Sequence, residues 1–289
     1  MANVAVREPS RARRDEEPPL RRRARRSLKH LARAITPAAA AQRRSLIIAG
    51  CQRSGTTMLQ QSILDRSWRV IVLGEMDPKL VGGTDSEALR WRPLSEVAST
   101  LSALPFELVV VKPLAESHRT TQLLDALPNS KAIWMLRHYL SVATSNLAKF
   151  GSDNGHRDLA KLVSGDSCEW RAQSSDDVRK RIHALMNREL SDLDAAALFW
   201  WARNHLYFDQ KLMEDDRVKV LRYETVINDP AGCVESISKY VGVPLPPHSG
   251  ERAIRRSGRP KEGLRSEVED LCAEMLHRFS GVPELGPLL

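Results

Sequence analysis

The chain has 289 residues, 42% of them hydrophobic and 28% charged, with a formal net charge of +8. That hydrophobic share supports a real core, and the length suits one large α/β domain with a tail or two small domains. No apolar run approaches the ~18 residues needed to cross a bilayer, and the arginine-rich start lacks the apolar stretch of a secretory leader.

The charge is unevenly placed. Residues 1–44 hold twelve arginines and one lysine against four carboxylates, a net +9, which leaves −1 for residues 45–289. The basic balance belongs to a tail, so no nucleic-acid partner is expected for the folded part. In that tail, "RRRARRSLKHLARAI" sets Ala24, Leu28, Leu31 and Ile35 on one helical stripe among arginines. The segment reads as a disordered, solvated extension, or as a short amphipathic piece that lies on an anionic membrane or docks on an acidic partner. Cys51, Cys168, Cys233 and Cys272 show no CxxC spacing. They read as reduced thiols of a cytoplasmic protein, mostly in its core.

From Ser45 the chain alternates short apolar runs with helical patterns. "SLIIA", "RVIVLG", "ELVVVK", "KAIWML" and "RVKVLRY" read as strands buried on both faces. Helices are expected after Thr56, from Leu94, from Ser117, from Leu140 and across "LDAAALFWWARNHLYFDQKL". A last helix puts Leu264, Val268, Leu271, Cys272, Met275, Leu276 and Phe279 on one face, with Ser266 and Glu269 as a capping box. This alternation predicts a three-layer α/β domain over residues 45–289, with a mostly parallel central sheet flanked by helices. Residues 151–192 are polar, without a strand signal, and read as a partly helical insertion that shapes a substrate site.

The first strand runs into "GCQRSGTT" and then a helix. A strand, a glycine-bearing turn and a helix N-terminus point backbone N–H groups at one spot and favour an anion. Gly50 and Gly55 stand four residues apart, as in the nucleotide-binding loop G-x-x-x-x-G-K-[ST], but Thr56 stands where lysine should be. That counts against transfer from a triphosphate. Arg53, beside Ser54, offers instead a planar fork of donors suited to phosphate or sulfate oxygens. Further on, Arg137 ends a strand on the edge where open α/β sheets bind ligands, and Ser145 follows two helical turns later. Tyr223 ends another strand and reads equally as a core tyrosine or a ligand contact. No cluster of His, Cys, Asp or Glu has metal-ligand spacing.

These residues carry a family resemblance. "GCQRSGTT" resembles the 5′-phosphosulfate loop of sulfotransferases that use 3′-phosphoadenosine 5′-phosphosulfate (PAPS), which have a P-loop-like fold. "KAIWMLRHYLSVATSNLAK" resembles their 3′-phosphate segment, with His138 where the family usually has Asp, and "RVKVLRYETVINDP" resembles a third family block. The resemblance implies PAPS as donor, adenosine 3′,5′-bisphosphate as product, no metal, and an acceptor with a hydroxyl or amine. It implies cofactor contacts from Arg53, Ser54, Gly55, Thr56 and Thr57, from Arg137, Ser145 and Lys149, from Tyr223, and from Ser257 and Arg259 in "RRSGRPKEG". Many members place a histidine two residues beyond a strand-end lysine; here the lysine is Lys112 and that place holds Leu114. Gly74-Glu75 resembles the Gly-Glu-Glu of the tyrosylprotein branch, which implies Glu75 as general base and Lys112 at the bridging oxygen. His118 is the rival base and reads as solvated or capping. The alternatives are a P-loop kinase or NTPase with a degenerate loop, and a non-catalytic anion-binding module.

Overall fold

Val, Ile and Leu dominate five short runs, and each run forms a strand because both its faces find apolar cover. In this computed structural model the described residues are 43–64, 67–82, 91–127, 129–186, 188–247 and 263–286. Among them the strands are β1 (Arg44–Gly50), β2 (Val70–Leu73), β3 (Leu108–Val111), β4 (Ser130–Leu136) and β5 (Val218–Arg222). They form one sheet in the order β2-β3-β1-β4-β5, and every pairing is parallel. The expected parallel architecture holds. Period-two alternation sorts each strand between two cores: Ile47 and Ala49 join one, Leu46 and Ile48 the other.

The helices supply those cores. The helix α1 (Thr56–Met58) follows β1 and continues as a π-helical turn over Leu59–Ile63. Then come α2 (Leu94–Ser102), α3 (Thr120–Ala126), α4 (Tyr139–Phe150), α5 (Asn154–Val163) and α6 (Asp176–Met186). The last two lie in the segment read as an insertion. The helix α7 (Asp192–Asp209) is buried along most of its length, and Ser191 with Asp194 caps it reciprocally. Two helices were not foreseen: α8 (Tyr223–Asn228) and α9 (Pro230–Val241). Asp229 caps α9 through the N–H of Gly232, and Pro230 takes its first position.

The helix α10 (Ser266–Arg278) buries Val268, Cys272 and Met275 as its pattern implied. Its capping box does not form. Arg265 is the N-cap, because its N–H is held by Asp194 Oδ1 at 2.9 Å, and that bond starts the helix with Ser266 already inside it. The four cysteines are free, with Cys51, Cys233 and Cys272 buried and Cys168 exposed. No helix of the described residues is long and apolar enough to cross a membrane. The basic tail up to residue 42 and the loop with Ser257 and Arg259 lie outside the described residues.

Candidate active site at the C-terminal edge of the sheet

Every strand delivers a polar group to the same edge. The loop Cys51–Gly55 follows β1, Glu75 lies two residues beyond β2, and Lys112 lies one beyond β3. Arg137 lies one beyond β4, and Tyr223 directly follows β5. Because β1 sits between β3 and β4, the loop opens where the chain order reverses, the usual crevice of open α/β sheets. A cleft of about 330 Å³ there is lined by residues that include Arg53, Thr57, Glu75, Lys112, Arg137 and Tyr223.

The loop's geometry depends on its glycines. Gly50 has φ +124°, and a Cβ there would stand 2.7 Å from the Met135 carbonyl oxygen of the paired strand. Gly55 has φ +94°, and its Cβ would meet the Tyr223 ring at 2.4 Å. Arg53 between them is also left-handed, at φ 67°. Alternation of hand in a tight turn aims successive N–H groups to one side, which makes an anion nest. Glycine tolerates that conformation freely, whereas Arg53 adopts it at a cost of roughly 1–3 kcal/mol.

Side chains tie the strand ends together. Arg53 Nε donates to Ser145 Oγ at 3.1 Å, and Arg137 Nη1 donates to the Arg53 carbonyl at 3.1 Å. The Arg137 guanidinium lies over the Tyr223 ring, 4.0 Å from its centroid. Lys112 Nζ donates to Thr57 Oγ1 at 3.1 Å. Glu75 Oε1 accepts from the Ala115 N–H at 3.0 Å. Burial, and then Arg137, pulls the Arg53 guanidinium below its ordinary value. Burial also pulls Lys112 down; Glu75 opposes that effect and Arg53 adds to it. The cleft therefore concentrates positive charge that an anion would relieve.

Supports beneath the cleft come from α7. Trp200 Nε1 donates to the Arg137 carbonyl at 3.0 Å, and Arg203 Nη2 donates to the Leu114 carbonyl at 2.7 Å. Arg203 is wholly buried, and desolvation brings it to about 10.

A family model described as a sulfotransferase domain matches residues 43–261. The chain belongs to the sulfotransferase family. Among solved structures it is similar to a sulfotransferase from Alicyclobacillus acidocaldarius, at 16% identity over 82% of this chain and 93% of that one, with a TM-score of 0.43. It is similar to the sulfotransferase domain of the Synechococcus olefin synthase at 14% identity over 81% and 94%, with a TM-score of 0.41. A Mycobacterium avium sulfotransferase is 14% identical over 92% of this chain and 83% of its own, with a TM-score of 0.47. No curated protein matches.

Of the residues singled out in this sulfotransferase, Arg53, Gly55, Thr56, Thr57, Glu75, Lys112, Arg137 and Tyr223 line the one cleft. Ser54 is fully buried behind the loop, and Ser145 reaches the site through Arg53. Lys149 is exposed on the last turn of α4, outside the lining. His118 does not line the cleft. It is half-buried, with Nδ1 3.2 Å from the Ala115 carbonyl, and burial depresses it to about 4. Gln52, Leu114 and Phe150 also line the cleft and were not foreseen. For Gln52 the signal was its place inside the loop.

His205 is likewise brought down to about 4 by burial. An unfolded histidine titrates near 6.5, so between these values the unfolded chain binds more protons than the folded one. The stability these neutral histidines confer is present above 6.5 and is lost as pH falls toward 4. Urea unfolding at pH ~7 and ~4.5 should show that loss, and His118→Gln should reduce it.

Proposed function

We propose that this sulfotransferase uses PAPS as donor and moves its sulfuryl group to a hydroxyl or amine acceptor, with Glu75 as general base. The observation that carries the reading is the convergence of Arg53, Lys112 and Arg137 with a single carboxylate in one cleft. PAPS supplies an activated sulfuryl group and two phosphate-bearing positions. The residues present fit it. The positive-φ loop forms an anion nest, and two guanidiniums lie next to each other in a cleft they make electropositive.

In this reading Arg53 and the N–H groups of the loop, with Thr56 and Thr57, hold the phosphosulfate. Arg137 and Ser145 hold the 3′-phosphate, with Tyr223 fixing the plane of Arg137. Lys149, Ser257 and Arg259 remain family-based candidates for the nucleotide's far end. Lys112 offsets the charge that builds on the oxygen that sulfur leaves. Glu75 takes the proton that the acceptor loses as its oxygen or nitrogen bonds to sulfur. The Ala115 N–H orients that carboxylate.

The kinase or NTPase reading fares worse on a specific contact. Such a loop gives the hydroxyl after its lysine to Mg²⁺. Here Thr57, the second of the two threonines after Gly55, accepts from the Lys112 ammonium, so a fixed cation stands at the hydroxyl.

Arg137→Ala removes a charge-assisted contact worth roughly 1.5–3 kcal/mol. By calorimetry it should weaken adenosine 3′,5′-bisphosphate far more than adenosine 5′-phosphate; equal losses would contradict the 3′-phosphate role. Glu75→Gln should lower kcat by ~10²–10⁴-fold, the range for a positioned acid–base group, with little change in binding of the bisphosphate. His118→Ala should cost far less. Near-normal turnover in Glu75→Gln with loss in His118→Ala would swap the two roles.

A further inference from the structure

Two carboxylates at the C-terminal edge of the sheet are each met by a backbone N–H whose own peptide group is held from the other side by α7. The first is Glu224. The His138 N–H donates to its Oε1 at 3.4 Å, and Trp200 Nε1 donates at 3.0 Å to the Arg137 carbonyl of the same peptide group. The second is Glu75. The Ala115 N–H donates to its Oε1 at 3.0 Å, and Arg203 Nη2 donates at 2.7 Å to the Leu114 carbonyl of that same peptide group. Trp200 and Arg203 stand one turn apart on α7, as neighbours on its surface.

The two supports differ in charge. The Trp200 indole is neutral, whereas Arg203 is a guanidinium only 1% exposed. Its other contacts are the Trp170 carbonyl at 3.5 Å and the Trp170 ring, 5.0 Å to the centroid. Burying a charge is costly, and Trp200 shows that this helix can hold a strand-end carbonyl without one. The Leu114 carbonyl also has a backbone donor of its own, the Ser117 N–H at 3.3 Å. Tying down that carbonyl therefore does not explain a buried cation. What the cation adds is polarisation. A peptide group is planar and conjugated, so a charge held on its oxygen fixes its plane and strengthens its N–H as a donor. The influence runs both ways: burial brings Arg203 down to about 10, and Cys51 and then Glu75 oppose that effect.

We infer that Arg203 is a positioning residue for Glu75 and acts through the Leu114–Ala115 peptide group, gripping its carbonyl on one side while its N–H holds one carboxylate oxygen on the other. Its bearing on turnover rests on the reading of Glu75 as general base; the coupling between the two side chains does not. A loose carboxylate meets the acceptor's proton in only some of its orientations, and an N–H that is itself fixed and polarised narrows them.

The test reads that peptide group by NMR of the full chain labelled with nitrogen-15, with no ligand added. Arg203→Met keeps an unbranched stem and leaves the Leu114 carbonyl its Ser117 donor. In this variant the Ala115 amide proton should move upfield as its bond to Glu75 weakens, while the His138 amide stays in place. General loosening of the core would move both. In the transfer assay used for Glu75→Gln, Arg203→Met should lower kcat by ~10–10²-fold, the scale of a misplaced catalytic group, with affinity for adenosine 3′,5′-bisphosphate unchanged. Combined with Glu75→Gln it should cost little beyond Glu75→Gln alone. Glu75→Gln in turn should shift the Arg203 Nε–H signal, a reading that stands even where Arg203→Met does not fold. An unmoved Ala115 amide in folded Arg203→Met, an Arg203 signal indifferent to Glu75→Gln, or fully additive losses in kcat would each overturn the coupling. Normal turnover in Glu75→Gln with both signals shifted would end the base reading and leave the coupling standing.

Discussion

Positive charge forced together at the ends of parallel strands is the constraint on which the rest of the site depends. Arg53, Lys112 and Arg137 belong to segments far apart in the chain, yet they line one cleft of about 330 Å³. Their mutual repulsion and partial desolvation work against the folded state, as the lowered values of Arg53 and Lys112 indicate. Each is therefore held by something else: Arg53 by Ser145, Lys112 by Thr57, and Arg137 by the Tyr223 ring and the Arg53 carbonyl. An anion in the cleft turns that cost into attraction. The arrangement also accounts for a phosphate-type loop with no lysine of its own. Lys112 arrives from the end of β3, and its ammonium meets the loop at Thr57.

The scaffold that bears this strain is α7. A helix buried on nearly all sides reads as core, and much of it is: Ala195 to Phe199 pack without polar contact to the cleft. Its polar positions do something different. Trp200 and Arg203 reach the carbonyls of Arg137 and Leu114, and Asn204 accepts from the Trp134 indole at 3.1 Å. These bonds fix the ends of β3 and β4 from below, in an interior where each unmade bond would cost ~1–3 kcal/mol. The helix α5 plays the matching part from the side, through Asp158 and Gln52.

What could be read in advance follows from how local each signal is. The strands were legible because a parallel sheet covered on both faces demands unbroken apolar runs such as "SLIIA" and "ELVVVK". The loop was legible because glycine spacing records backbone needs, and both Gly50 and Gly55 have positive φ. The helix α9 was not legible although Asp229-Pro230 marks its start, because a serine, Ser236, shares its buried face with Val234, Ile237 and Val241 and blurs the apolar period. The capping box at Ser266 failed because a long-range bond, Arg265 to Asp194, outweighed a local preference. Gln52, Arg203 and Asp158 were out of reach for the same reason: Gln52 and Asp158 are 106 residues apart, and Arg203 and Leu114 are 89 apart. His118 carries a residue type that suits a base, and only packing reveals that burial keeps it neutral and away from the cleft.

In the proposed reading, this cluster of cations holds a nucleotide carrying phosphates at both its 3′ and 5′ positions, without a triphosphate or a metal. A thermal-shift comparison of adenosine 3′,5′-bisphosphate with ATP–Mg²⁺ tests it most directly. At a ligand concentration of ~100 times Kd, the bisphosphate should stabilise the chain by roughly 2.7 kcal/mol, a clear rise in Tm, while ATP–Mg²⁺ leaves it nearly unchanged. Stabilisation by ATP–Mg²⁺ with none by the bisphosphate would contradict the account.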